Sequence, residues 1–329
     1  MREALQNRCN LFVANRDIIK SAFGWESTYI YPLCANMYAS KGLKADPARM
    51  KECRELLKKN TGVFSNFRGT SKMATMTMLS LSENPQLQME RILSVYNKLK
   101  EVFWGSEYLT VAAASIAQLA EPKQYDQIAG RTRKIYELMK SSHPFLTTGE
   151  DSAFASLLAV MDLDEVHIER EIERCYTTLK SSFFYSNAVQ SLSQVLALGE
   201  GSAQQKCSRV IALFDYLKSR GYKYGTNYEL ATLGVLALLQ EEIKVLSEDI
   251  IQADDFLKGQ KGFGPFGIGA KQRLMYAGML AACDYIPNVH SIQVAALNGV
   301  VALVIAQQAA ICASVAATSA ATASANSSN

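Results

Sequence analysis

The sequence predicts an all-α protein assembled from helical hairpins of about forty residues, arranged as an α-solenoid or closed into an α/α toroid. Three observations carry this expectation. An aliphatic residue followed by lysine recurs at Ile19-Lys20, Leu57-Lys58, Leu99-Lys100, Met139-Lys140, Leu179-Lys180, Leu217-Lys218 and Leu257-Lys258, with lysine spacings of 38, 42, 40, 40, 38 and 40. The stretch before each lysine repeats apolar residues at helical spacing. No segment sustains the two-residue alternation with β-branched side chains that a strand requires.

Each unit reads in the same order. An amphipathic outer helix comes first: Ile168, Ile172, Cys175 and Leu179 fall at i, i+4, i+7 and i+11, and Leu246, Ile250, Ala253 and Leu257 repeat that stripe. An aromatic often stands three residues before the aliphatic, as at Tyr96, Tyr136, Tyr176 and Phe214. The lysine follows, near a helix end where a cation can bond free carbonyls and complements the dipole. Next comes a turn-rich, aromatic segment such as Phe103-Trp-Gly-Ser or Phe183-Phe-Tyr-Ser-Asn. An inner helix apolar on most faces completes the unit, for example 111–120, 154–161 and 230–239. Breakers such as Asn84-Pro85 and Glu121-Pro122 separate it from the next outer helix.

This pattern predicts a single right-handed stack of about seven hairpins over residues 1–290, with one continuous core. Residues 291–317 read as an apolar, alanine-rich helix and 318–329 as a disordered tail, because no Asp, Glu, Lys or Arg follows Asp284. The expected place for that helix is against the inner helices of the last units. Its glutamines and the lack of flanking basic residues weigh against a membrane tail.

Composition excludes several classes. With 34 basic and 31 acidic residues the net charge is +3, so neither nucleic acid nor a membrane is an expected partner. Seven scattered cysteines and three histidines give no metal-ligand spacing, so no metal or cofactor is expected. The charged N-terminus and unpaired cysteines suit a reducing cytoplasm.

Candidate site residues are few. The segment 143–151 departs most from the repeat, placing His143, Glu150 and Asp151 within nine residues. They could form a general acid/base set, or Thr148 to Asp151 could cap the next helix. Trp104, Tyr185 and Tyr224 belong to the loop aromatics, which either line a binding edge or plug gaps between hairpins. Gly262-x-Gly264-x-x-Gly267 spells a dinucleotide fingerprint, but a helix precedes it and Pro265 interrupts it. Lys271 and Arg273 in the following helix's first turn could still hold an anion. The tyrosine–lysine pairs at 96/100, 136/140 and 176/180 repeat in three units, as packing residues do and a catalytic pair does not.

His143-Pro-Phe-Leu-Thr-Thr-Gly-Glu-Asp, Val189-Gln-Ser-Leu-Ser-Gln-Val-Leu-Ala-Leu and the ending with Ala306-Gln-Gln-Ala resemble a bacterial domain-of-unknown-function family, the one numbered 4003. The resemblance covers essentially the whole chain. It implies a bacterial, cytoplasmic protein with no assigned activity, so no catalytic residues carry over. It also implies histidine in many relatives at the position of Gln194, which weakens any site pairing that position with His143 here. The expected function is a non-enzymatic scaffold binding a protein or peptide, with a second copy of the chain, in a homo-oligomer, as another candidate partner. The alternative is an enzyme whose toroid cavity works through carboxylates and His143.

Overall fold

The computed structural model describes residues 1–286 except 25, 27, 29, 64, 70, 162, 265 and 266. The expected 291–317 helix and 318–329 tail lie outside the described residues. Within them the chain is all-α, with fourteen α-helices and no strand. Seven outer helices, α1 (Glu3–Ala22), α3 (Pro47–Asn60), α5 (Pro85–Val102), α7 (Tyr125–Ser142), α9 (Glu165–Leu179), α11 (Ala203–Ser219) and α13 (Ile243–Lys258), alternate with seven inner ones. The inner helices are α2 (Ile30–Ser40), α4 (Lys72–Ser80), α6 (Glu107–Leu119), α8 (Asp151–Val160), α10 (Ser186–Leu196), α12 (Leu230–Leu238) and α14 (Ala270–Ala282).

Burial follows the patterning of each sequence. In α9 the predicted stripe of Ile168, Ile172, Cys175 and Leu179 is buried, joined by Glu171. Every residue of α12 is buried, as its apolar composition requires. The repeated dipeptide has a simple meaning: each of its seven aliphatic residues is buried, and each of its seven lysines is exposed.

Each outer helix packs on the inner helix that follows it, outer helices pack on outer neighbours, and inner on inner. The first and last units also meet: α1 packs on α13 and α14, and α2 on α14. Phe12 of α1 lies 5.7 Å from Phe263 and 5.4 Å from Tyr276 between ring centroids. The Arg16 guanidinium sits 4.4 Å above the Phe263 ring.

Arginines, rather than the repeated lysines, satisfy the carbonyls at helix ends. Among the seven lysines only Lys140 donates to backbone, to the carbonyls of Pro144 and of Thr147 (2.7 Å) in the next loop. This corrects the capping expectation. Nine residues before the lysine stand Arg49, Arg91, Arg131 and Arg209, and each donates to carbonyls just beyond its own inner helix. The contacts are Arg49 to Ser82 (2.5 Å), Arg91 to Ala120 (2.6 Å), Arg131 to Leu163 (2.5 Å) and Arg209 to Leu239 (2.6 Å). Those carbonyls lack intrahelical partners, so a buried-side guanidinium is a strong substitute. In α9 and α13 the same place holds Glu171 and Asp249. There the cap comes from the next outer helix, twelve residues before its lysine: Lys206 reaches Gly199 (3.1 Å) and Arg8 reaches Leu280 (3.1 Å). For α13 the next outer helix is α1.

Candidate functional site

The loop after α7 is tied down by its own polar groups. The His143 N–H closes on the Met139 carbonyl at 2.9 Å, and the Thr147 hydroxyl donates to the same carbonyl at 3.1 Å. The Thr148 N–H then donates to Asp151 Oδ2 at 2.7 Å, which is the backward half of the expected capping box. Two glutamines one turn apart on α10 fix the loop against the neighbouring inner helix. Gln190 Nε2 donates to the Thr147 hydroxyl at 2.9 Å, and Gln194 Nε2 to Asp151 Oδ1 at 2.7 Å. The Oε1 atoms of both glutamines are buried without a hydrogen-bond partner.

Asp151 is buried, and burial pushes its carboxyl above the usual range, opposed by the Gln194 and Thr148 hydrogen bonds. Glu150 is half-buried and shifts the same way, from burial and then from the Asp151 charge. His143 faces elsewhere. Its Nε2 meets Glu173 Oε1 at 2.8 Å and its ring lies 4.4 Å from the Tyr176 ring, both on outer helix α9. Among the described residues no hydrogen bond or ion pair joins His143 to Glu150 or Asp151. The structure therefore splits the expected acid/base set between the outer and inner layers. Nor do the described residues contain any group of three His, Cys, Asp or Glu placed to hold a metal.

The loop aromatics divide into two populations. In four loops one member packs its ring on the residue four before the next repeated lysine. The pairs are Phe67 on Tyr96 (4.8 Å), Phe103 on Tyr136 (5.3 Å), His143 on Tyr176 and Phe183 on Phe214 (5.2 Å). Phe263 under Arg16 is the same contact between the last loop and the first helix. These are the gap-filling residues. The other population faces solvent: Trp104 is 97% exposed, Phe145 95%, Phe184 89%, Val63 73% and Tyr185 49%. Tyr224 belongs to the first kind, buried with its hydroxyl 2.7 Å from that of Thr232, so it offers no ligand surface. Sequence reasoning missed Phe145 and Val63. The available signal was position, four or five residues after a repeated lysine, one register step from the plug.

The glycine-rich loop is a structural turn. Gly262 has φ +86°, and a Cβ on Gly267 would lie 2.2 Å from the Gly262 carbonyl oxygen. Arg273 is buried in a bidentate pair with Asp254 (2.8 and 2.9 Å) and also donates to the Phe263 carbonyl at 3.1 Å. It is committed to that pair and is not free to hold an anion, which corrects the expectation. Lys271 is exposed.

No curated protein matches this chain, and no solved structure matches it. A family model does match, over residues 15–309 and so across both the split 143–151 segment and the exposed aromatic loops. The chain belongs to the family described as Protein of unknown function (DUF4003).

Proposed function

We propose that the seven hairpins close into an α/α toroid, and that the protein is a non-enzymatic binding protein whose binding surface is the rim of outer-to-inner loops. The contacts of α1 with α13 and α14 support closure. An open array would present a concave face along its inner helices; a closed one turns those helices inward. Residues Asp151–Ala159 of α8 and Gln272–Ala282 of α14 are all buried, leaving no solvent-facing side on them for a partner. The rim does face solvent. The single observation that carries this reading is the row of nearly fully exposed Trp104, Phe145 and Phe184 on three successive loops. Large apolar side chains grouped in the open mark interaction sites. Free cysteines, five of the six described ones buried, fit the reducing cytoplasm of a bacterium.

A second reading is favoured by the interior. A buried carboxyl with a raised pKa beside unpartnered glutamine oxygens would suit a small polar ligand or an enzyme acting through Glu150 and Asp151. The split of His143 from the carboxylates weighs against it. A photo-reactive amino acid placed at 104 or at 194 in living cells separates the two. The rim reading expects adducts from 104 only. A small molecule retained through native purification, with adducts from 194 alone, would overturn it.

A further inference from the structure

The two ends of the ring differ in charge far more than the net +3 suggests. From each repeated lysine to the residue before the inner helix, the seven loops of one end carry twelve basic and four acidic residues. Over a matching window at the other end, from the residue after each inner helix through the third residue of the next outer helix, the described residues carry six basic and eleven acidic ones. The repeat makes this polarity. Every outer helix ends at the same rim with an exposed lysine, and every return loop to the next outer helix lies at the opposite rim.

The same basic rim bears Val63, Trp104, Phe145, Phe184 and Tyr185. Because they occupy equivalent loops of four adjacent units, they project from one side of one end. Their loops hold the exposed Lys58, Lys59, Lys100, Lys140 and Lys180 between them. The two rim arginines are already engaged, Arg68 with the carbonyl of Thr61 (2.5 Å) and Arg220 with Glu248. The other rim cations are lysines, of which Lys58 pairs with Glu55 (3.0 Å) and Lys140 donates to the Pro144 and Thr147 carbonyls; all stay exposed as point charges without the planar fork that suits bidentate recognition of one phosphate.

Resting on the reading of the rim as the binding surface, we propose that this rim docks on the surface of an anionic phospholipid bilayer. Lysines meet the headgroup phosphates, and Trp104, Phe145 and Phe184 enter the interfacial layer. Three features favour this occupant. Aromatic side chains are the preferred residues of the membrane–water interface. A fluid layer accepts protruding side chains without a complementary pocket. The acidic end points away from the anionic surface, so the charge asymmetry also sets the orientation. The contact lies on the membrane; among the described residues no helix is long and apolar enough to cross one.

The test uses the full-length protein with vesicles of phosphatidylcholine alone and vesicles in which one lipid in three is phosphatidylglycerol. The expected result is co-sedimentation with the second kind only, released at ~1 M salt where the screening length falls to about 3 Å. Trp104 emission should shift to the blue on binding, and the shift should vanish in W104F. Replacing Trp104, Phe145 and Phe184 together by serine should weaken binding at least tenfold without lowering the melting temperature, since all three are exposed. Reversing the exposed Lys59 and Lys180 to glutamate should weaken it comparably. Absence of binding to the anionic vesicles overturns the proposal, as does binding that the serine variant leaves unchanged, which would assign it to the 287–329 segment. Tighter binding to a duplex oligonucleotide, or salt-sensitive self-association through the acidic end of a second copy, also overturns it. Cross-linking at 104 keeps the two readings separate. Protein adducts without vesicle binding sink the lipid assignment and leave the rim standing; no adducts and no vesicle binding sink both.

Discussion

At position 151 two forces oppose each other: desolvation favours the neutral acid, while the Gln194 and Thr148 hydrogen bonds favour the carboxylate, and desolvation is the larger. The folded carboxyl therefore keeps its proton to a higher pH than the unfolded one, whose ordinary value is 3.8. Its contribution to stability is present below that value and is lost as pH rises through the folded pKa. Asp151→Asn removes this dependence while leaving Glu150 in place. The melting temperature of the variant minus that of the parent should rise with pH across that window; a flat difference would contradict the assignment. Gly267 gives a second test at this scale. Gly267→Ala places a Cβ against the Gly262 carbonyl and should cost about 1–3 kcal/mol, whereas Gly264→Ala meets nothing within 4 Å and should be tolerated, as denaturant unfolding will measure. Neither residue's role could be read from its letter. The Gly262–Gly267 spelling looked like a nucleotide motif because sequence shows spacing and hides which group each glycine approaches.

At the scale of the element, the arginine nine residues before the repeated lysine does what the lysine was expected to do. The lysine sits in or just after the last turn of its helix and is exposed, so hydration competes with any carbonyl. The arginine sits in the first half of its helix, beside the end of the inner one, and its long fork reaches one to three carbonyls at once. Arg131→Ala should cost about 2 kcal/mol through the lost charged hydrogen bonds to Met161 and Leu163. Lys180→Ala should stay within about 0.5 kcal/mol, as exposed surface changes do. Paired thermal melts decide between them, and a larger loss for the lysine variant would reverse the assignment. This periodic arginine was available in the sequence at 49, 91, 131 and 209. It went unread because its partners lie in the following inner helix, a long-range contact that periodicity does not disclose.

Over the whole molecule, the exchange of roles at Glu171/Lys206 and Asp249/Arg8 has a consequence for shape. In both places an acid occupies the capping position and the next outer helix supplies the cation. The second pair works only if α1 follows α13, so the last unit carries a sequence signature of its neighbour at the far end of the chain. The proposed closure would also remove the need for a cap on an exposed terminal unit, the role expected of 291–317. Phe12→Ala should then cost about 3–5 kcal/mol, like any fully buried ring, although an open array would leave its first helix half-uncovered. Hydrogen exchange gives a sharper test. Arg8→Ala should speed amide exchange at the end of α14, 272 residues away in sequence. Exchange confined to α1 and α2 would contradict closure, and so would the scattering profile of an elongated rod.

The sequence by itself determined the helical class, the unit length, the stripe each outer helix buries and the side of the helix on which each lysine stands. All of these follow from periods of a few residues within one element, where the chain's own geometry relates position to direction. It also supplied, unread, the arginine period and the shift of register at Glu171 and Asp249. Only the tertiary structure decided that the first unit meets the last, that His143 turns to the outer layer while Asp151 turns to the inner one, and which aromatic of each loop is a plug and which is bare. The physical reason is common to all three. Adjacent residues such as Phe183 and Phe184 have nearly the same chemistry, and their fates separate only when a neighbouring hairpin arrives to bury one and leave the other in water.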